Sequence, residues 1–140
     1  IASAFVTGME YFNTFSGNPV SCAIAMAVLE VVQEEKLQQN ALETGAYLQH
    51  GLRQLAQQHS LIGDVRGRGA MMAIELVKPG SKEPNGEAMG KVVKYAQENG
   101  VLILTAGTYG NVIRFLPPLV ISEELLNDAF DVLEAGFAAL

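Results

Sequence analysis

Asn111-Val112-Ile113-Arg114-Phe115-Leu116-Pro117-Pro118 sets one guanidinium in an apolar, strand-like run. A charge in such surroundings needs a partner, because a buried unpaired one is costly. Two kinds of partner are open to it. One is a carboxylate elsewhere in the fold, an ordinary structural ion pair. The other is a carboxylate that comes and goes. The planar fork of an arginine donates two parallel hydrogen bonds, which is what recognition of a substrate carboxylate requires.

The second chemical feature is Thr14-Phe15-Ser16-Gly17-Asn18-Pro19. The Thr14 hydroxyl can donate to a phosphate oxygen, and a glycine-bearing loop at a helix mouth exposes backbone N–H groups that favour anions. The plain alternative is a hydroxyl that caps its own turn. Ser16 and Asn13 flank Thr14 and can assist it. Arg66 and Arg68, in Val65-Arg66-Gly67-Arg68-Gly69, form a third basic feature.

What is missing bears on mechanism. The lysines are Lys36, Lys78, Lys82, Lys91 and Lys94, all in polar helical or loop stretches. His50 and His59 fall in a glutamine-rich helical stretch and read as solvated surface. With two histidines and one cysteine there is no clustered ligand set for zinc or iron. Cys22 reads as a small buried packing residue. A lone cysteine forms no internal disulfide and suits a reducing, cytoplasmic setting.

Several elements must position these residues. Asn18 is a good N-cap and Pro19 fits the first helical position. Ile24, Ala27, Val28 and Val31 then mark one face of a helix over 20–35, with Leu29 and Val32 on its flanks, so cover on more than one side is expected. A second helix starts near Leu37, with Ala41, Gly45, Leu48, Leu52 and Leu55 as its stripe. Leu61 to Asp64 reads as a turn into a strand over 70–77, with Met72, Ile74 and Leu76 on one face. Gly63, Gly67 and Gly69 are no dinucleotide fingerprint, because they precede a strand instead of joining a strand to a helix.

The spacing predicts a helix over 86–99, with Ala88, Val92, Val93 and Ala96 inward. A hairpin-like pair follows over 101–115, with a strand at 101–104 and its return at 112–115. The last helix is capped by Ser122, stapled by Ile121 and striped by Leu126, Ala129, Phe130, Leu133 and Phe137. The fold class is α+β: a small, mostly antiparallel sheet with helices packed on one face.

The 140 residues are enough for one core. Fifteen acidic against nine basic residues give −6, unfavourable for nucleic acid. No apolar run reaches the roughly 18 residues of a membrane span, and no secretory signal is readable. The opening Ile1-Ala2-Ser3-Ala4-Phe5 reads as the tail of a helix, so a C-terminal portion of a longer protein is expected.

Three segments carry a family resemblance. Thr14-Phe15-Ser16-Gly17-Asn18-Pro19 with Val20-Ser21-Cys22-Ala23, Gly63-Asp64-Val65-Arg66-Gly67-Arg68-Gly69 with its following strand to Leu76, and Gly107 to Leu119 with Arg114-Phe115-Leu116-Pro117-Pro118 resemble, in order, three motifs of class III aminotransferases. These are pyridoxal-phosphate enzymes of fold type I, and the match runs from about residue 5 to the end. Gly107-Thr108-Tyr109-Gly110-Asn111-Val112 is most similar to 4-aminobutyrate aminotransferases. Tyr11-Phe12-Asn13-Thr14-Phe15 leans toward the alanine–glyoxylate aminotransferase and amino-alcohol-phosphate lyase branches.

The resemblance implies a specific set of roles. Arg114 becomes the substrate-carboxylate anchor. Thr14, with Ser16 beside it where many relatives have glycine, contacts the phosphate of pyridoxal 5'-phosphate in the neighbouring subunit of a homodimer. Arg66 falls at a position read as structural, bridging small and large domains, and Arg68 at a variable one. Residues 1–35 become the end of the large domain with its connecting helix, and 36–140 the C-terminal small domain. The Schiff-base lysine and the aspartate on the pyridine nitrogen belong to segments that none of these residues match, so no catalytic residue is expected here and the chain alone is expected to be inactive. The implied reaction moves an amino group from an ω-amino acid such as 4-aminobutyrate to a 2-oxo acid such as 2-oxoglutarate. The alternatives are the two other branches, or a non-catalytic dimerisation module.

Overall fold

The computed structural model describes Ser3, Gly8 and residues 13–140. The helix end expected over residues 1–9 and the start of the passage from Tyr11 fall mostly outside the described residues. The chain divides into two compact units, residues 1–35 and 36–140.

In the first unit, helix α1 runs Pro19–Glu34. The Asn18 side chain starts it by accepting from the N–H groups of Val20 and Ser21 at 3.0 and 3.1 Å, and Pro19 at its head has no N–H to leave orphaned. None of its residues is buried. Ile24 is 59% exposed and Val28 55%, so the cover expected for this apolar helix is not supplied within the unit. Cys22, expected to be buried, is exposed as well. Periodicity reports which faces are apolar; it does not report what lies against them.

The second unit holds α2 (Leu37–Gln58), β1 (Ile62–Arg68), β2 (Met71–Leu76), α3 (Gly86–Glu98), β3 (Leu104–Ala106), β4 (Val112–Phe115) and α4 (Glu123–Ala138). The four strands form one sheet in the order β1-β2-β4-β3, and every neighbouring pair is antiparallel. This is the expected α+β arrangement. The core joins Leu48, Leu52 and Leu55 of α2 to Met72, Ile74 and Leu76 of β2, with Ile113, Phe115, Val92, Leu133 and Phe137 closing it. Strand residues alternate between faces. With Met72, Ile74 and Leu76 turned to the helices, Met71, Ala73 and Glu75 lie on the opposite, open face, and on β4 so does Arg114.

Leu61 to Asp64, expected as a turn into the strand at 70–77, instead opens a separate full strand, β1, which runs to Arg68 and pairs with β2. Only Ile62 and Val65 are apolar inward residues there, and a register shift between Ile62 and Asp64 breaks the alternation that would have marked it. The third strand lies at Leu104–Ala106 and not from Val101, because the Val101 N–H is already taken by the Ala96 carbonyl, at 2.8 Å, in the wind-down of α3. His50 is exposed. His59 is not the solvated residue expected: its ring stacks on Phe137 with centroids 5.3 Å apart, and its Nε2 is buried with no hydrogen-bond partner among the described residues.

Two helical glycines differ in kind. Gly45 faces the turn between β1 and β2 so closely that a Cβ there collides with the backbone of Gly69, and backbone cannot swing aside. Gly90 looks into open space on the exposed face of α3. Gly45→Ala should destabilise the protein by about 1–3 kcal/mol, whereas Gly90→Ala should stabilise it by about 0.4–1 kcal/mol. Urea unfolding of the two variants checks both signs.

Candidate functional site

Arg114 owes its position to its neighbours. Ile113 is fully buried and Phe115 is 9% exposed, so pleating turns Arg114 to the open face. Burial of the charge, as its apolar context suggests, does not occur: the residue is exposed. Among the described residues the Arg114 side chain has no ion pair and no hydrogen bond. Arg114 also contributes to the rim of a groove of about 300 Å³ whose walls include Leu48, Phe115, Leu126, Phe130 and Leu133 on the helix-packed side of the sheet.

The other arginine on this face is in the opposite state. Arg66 and Arg114 are the cross-strand partners of the same residue, Ala73, from β1 and β4 respectively. Arg66 Nη1 meets Asp64 Oδ2 and Glu75 Oε2, each at 2.7 Å. Its hydrogen bonds to Asp64 and then to Glu75 hold its pKa above the ordinary guanidinium value. Asn111, 1% exposed, donates from Nδ2 to the Leu76 carbonyl at 2.9 Å and to Glu75 Oε1 at 3.3 Å. The Leu76 N–H returns a bond to the Asn111 carbonyl at 2.7 Å. The start of β4 is thereby fastened to the end of β2.

Sequence reasoning left Asp64, Glu75 and Asn111 without roles. Asp64 and Arg66 share a face by their spacing of two, but only once 62–68 is known to be a strand. Arg68, two residues further on the same face, is exposed.

Thr14 and Ser16 lie in the first unit, Arg114 in the second. Residues 14–17 form a turn in which Gly17 takes φ +74°, a left-handed conformation that suits glycine. Ser16 Oγ donates to the Asn13 carbonyl at 3.1 Å, and the Phe15 N–H donates to Asn13 Oδ1 at 2.9 Å. Ser16 thus spends its proton on its own turn. Thr14 is exposed, and its hydroxyl has no hydrogen bond among the described residues. Since Asn18 already occupies the first N–H groups of α1, the loop offers a phosphate one free hydroxyl and not a cup.

A pyridoxal cofactor needs phosphate donors and a reactive amine. The free Thr14 hydroxyl fits the first need as one contact. The second is not met here: all five lysines are exposed, and three of them face carboxylates, Lys78 with Glu83, Lys91 with Glu87 and Lys94 with Glu98. None is desolvated as an activated amine would be. Among the described residues no group of three or more His, Cys, Asp or Glu could hold a metal ion, and no helix is long and apolar enough to cross a membrane.

Comparison with known proteins places this geometry. Residues 1–137 match the family model described as aminotransferase class-III. The chain is 45% identical over 131 residues to a probable 4-aminobutyrate aminotransferase of Bacillus subtilis, covering 93% of the chain and 30% of that protein. It is 43% identical over 127 residues to a 5-aminovalerate aminotransferase of Pseudomonas putida, covering 91% of the chain and 30% of that protein. A phospholyase from Arthrobacter, solved in complex with phosphoethanolamine, superposes with a TM-score of 0.88 at 35% identity, over 99% of this chain and 33% of its own. The chain therefore spans about 30% of the length of the curated relatives it matches. With the family model matched over residues 1–137 and the fold shared with solved relatives, the chain belongs to the class III aminotransferases.

Proposed function

We propose that this chain supplies the carboxylate anchor and one phosphate contact of a pyridoxal-phosphate-dependent aminotransferase. The complete enzyme moves an amino group from an ω-amino acid of the 4-aminobutyrate kind to a 2-oxo acid such as 2-oxoglutarate. The observation that carries this reading is the asymmetry between two arginines on one sheet face: Arg66 is satisfied by two carboxylates, while Arg114 is exposed and unpaired among the described residues. An arginine kept free on a rigid strand is a fork waiting for a planar anion. The amino donors named for the two curated relatives are both ω-amino acids, each a methylene chain ending in a carboxylate, which supports an anchor of this type.

In this reading Arg114 binds the substrate carboxylate and fixes the distance from it to the reacting carbon. Thr14 donates its hydroxyl to the cofactor phosphate of the second subunit in a homodimer, and Ser16 holds the turn that presents Thr14. Residues 1–35 are the end of the large domain with its connecting helix, and 36–140 the small domain. Pyridoxal phosphate, when bound, supplies the electron sink for the negative charge that develops at the amino-bearing carbon. The amine that receives and returns the proton is assigned to residues outside this sequence, because no lysine within it is desolvated. The chain alone, mixed with pyridoxal phosphate, should develop no new absorption band.

The likeness to a phospholyase favours one second reading, elimination of phosphate from an amino-alcohol phosphate. A panel on the full-length enzyme separates the reactions: 4-aminobutyrate and 5-aminovalerate with 2-oxoglutarate, alanine with glyoxylate, and phosphoethanolamine with release of inorganic phosphate. The proposal expects turnover of the first pair. Turnover confined to phosphoethanolamine overturns it.

Two further results are expected. In the full-length enzyme Arg114→Lys should weaken carboxylate substrates about ten- to hundredfold with cofactor retention little changed, and Thr14→Ala should mainly weaken cofactor retention. Equal loss of both properties in Arg114→Lys counts against the anchor; unchanged retention in Thr14→Ala favours a hydroxyl that serves only its turn. In stability measurements Arg114→Met should stay within about 0.5 kcal/mol of the parent, whereas Arg66→Met should cost about 1 kcal/mol because two exposed pairs are lost. A large loss in Arg114→Met would show that the residue is held for structure.

A further inference from the structure

Ala73 is flanked on the open face of the sheet by Arg66 on one side and Arg114 on the other, each as its direct cross-strand partner. Glu75, two residues along β2, stands opposite Asp64 on β1 and opposite Val112 on β4. It therefore has the same diagonal relation to both arginines. Diagonal neighbours of this kind have backbones about 7–8 Å apart, within reach of long side chains. The contact of 2.7 Å between Arg66 and Glu75 proves that this diagonal closes in this sheet. By register alone, Glu75 could equally close on Arg114 and neutralise it.

It does not, and both of its oxygens are accounted for. Oε2 is taken by Arg66, which Asp64 steadies from the far side at 2.7 Å. Oε1 accepts from Asn111, whose own amide is anchored to the Leu76 carbonyl. Asn111 is buried and its backbone is bonded to Leu76, so it has little freedom to release the carboxylate. We infer that Arg66 and Asn111 are positioning residues that hold Glu75 away from Arg114 and so keep the Arg114 guanidinium open for a substrate carboxylate. The inference rests on the anchoring role proposed for Arg114, and it adds a reason for the charge pattern Asp64, Arg66, Glu75: the group serves the anchor by occupying the nearest acid.

The consequence is competition. If Glu75 is released it becomes an intramolecular rival of the substrate, and apparent affinity falls in proportion to the fraction of Arg114 left free. An exposed ion pair of ordinary strength then raises KM for carboxylate substrates about two- to sixfold.

The test uses the full-length enzyme with its cofactor and measures KM and kcat for 4-aminobutyrate and 2-oxoglutarate. Arg66→Met should raise KM by that factor, with kcat changed less than KM, and the double variant Arg66→Met with Glu75→Gln should bring KM back toward the parent value. A merely structural role for Arg66 predicts no such rescue, because removing Glu75 takes away a further contact. Arg66→Gln, which keeps a polar side chain on the sheet, carries the same expectation should Arg66→Met not fold. An unchanged KM in the Arg66 variants, or a raised KM that Glu75→Gln leaves in place, overturns the inference. Arg114→Lys measured alongside separates this from the underlying reading: an unchanged KM there removes the anchor itself, whereas a raised KM there without rescue removes only the guarding role.

Discussion

A carboxylate lying between two arginines on a sheet can satisfy only one of them fully, and in this protein Glu75 goes to Arg66. That partition decides the electrostatic character of the whole open face. Asp64 joins the same side, Asn111 closes the second oxygen of Glu75, and the positive charge left over sits at Arg114. A guanidinium with no partner among the described residues is ordinary on a flexible loop. Here it stands on the third strand of a four-stranded sheet, with Ile113 and Phe115 locked into the core on either side. Its backbone therefore cannot drift, and only the side chain is left to move.

The helices matter to the site because they decide which face of the sheet is open. Leu48, Leu52 and Leu55 from α2, Val92 from α3, and Leu133 and Phe137 from α4 all pack on the face that holds Met72, Ile74, Leu76 and Ile113. Strand parity does the rest: a slip of one residue in β4 would bury Arg114 and expose Ile113. The bonds from Asn111 to Leu76 guard against such a slip. Folding and the display of Arg114 thus share the same few atoms at the start of β4. The first unit offers a different device, a capped helix whose entry turn displays one hydroxyl that makes no hydrogen bond among the described residues.

Much of this was legible in the residues. The stripes of α2, α3 and α4, the cap at Ser122, and the alternation of β2 all follow from local periodicity and capping chemistry. Arg114 and Thr14 stood out because a charge in an apolar run and a hydroxyl at a helix mouth each need an explanation. What was illegible is what depends on pairing. The strand at 62–68 carries two glycines and a register shift, so its alternation is hidden until β2 lies beside it. The exposure of Arg114 depends on strand parity combined with the side on which the helices pack, and neither is written in its neighbours' types. His59 read as surface from its glutamine-rich context, yet contact with Phe137, far away in sequence, half-buries it. Cys22 and the apolar residues Ile24, Val28 and Leu29 of α1 are exposed, because a pattern states a need for cover without supplying it.

The most direct test of the central claim is a crystal structure of the full-length enzyme with its cofactor and glutarate, an unreactive dicarboxylate, bound. The account predicts two parallel hydrogen bonds from the Arg114 guanidinium to one glutarate carboxylate, with Glu75 still held by Arg66 and Asn111. An Arg114 paired to a protein carboxylate while glutarate binds elsewhere would contradict it.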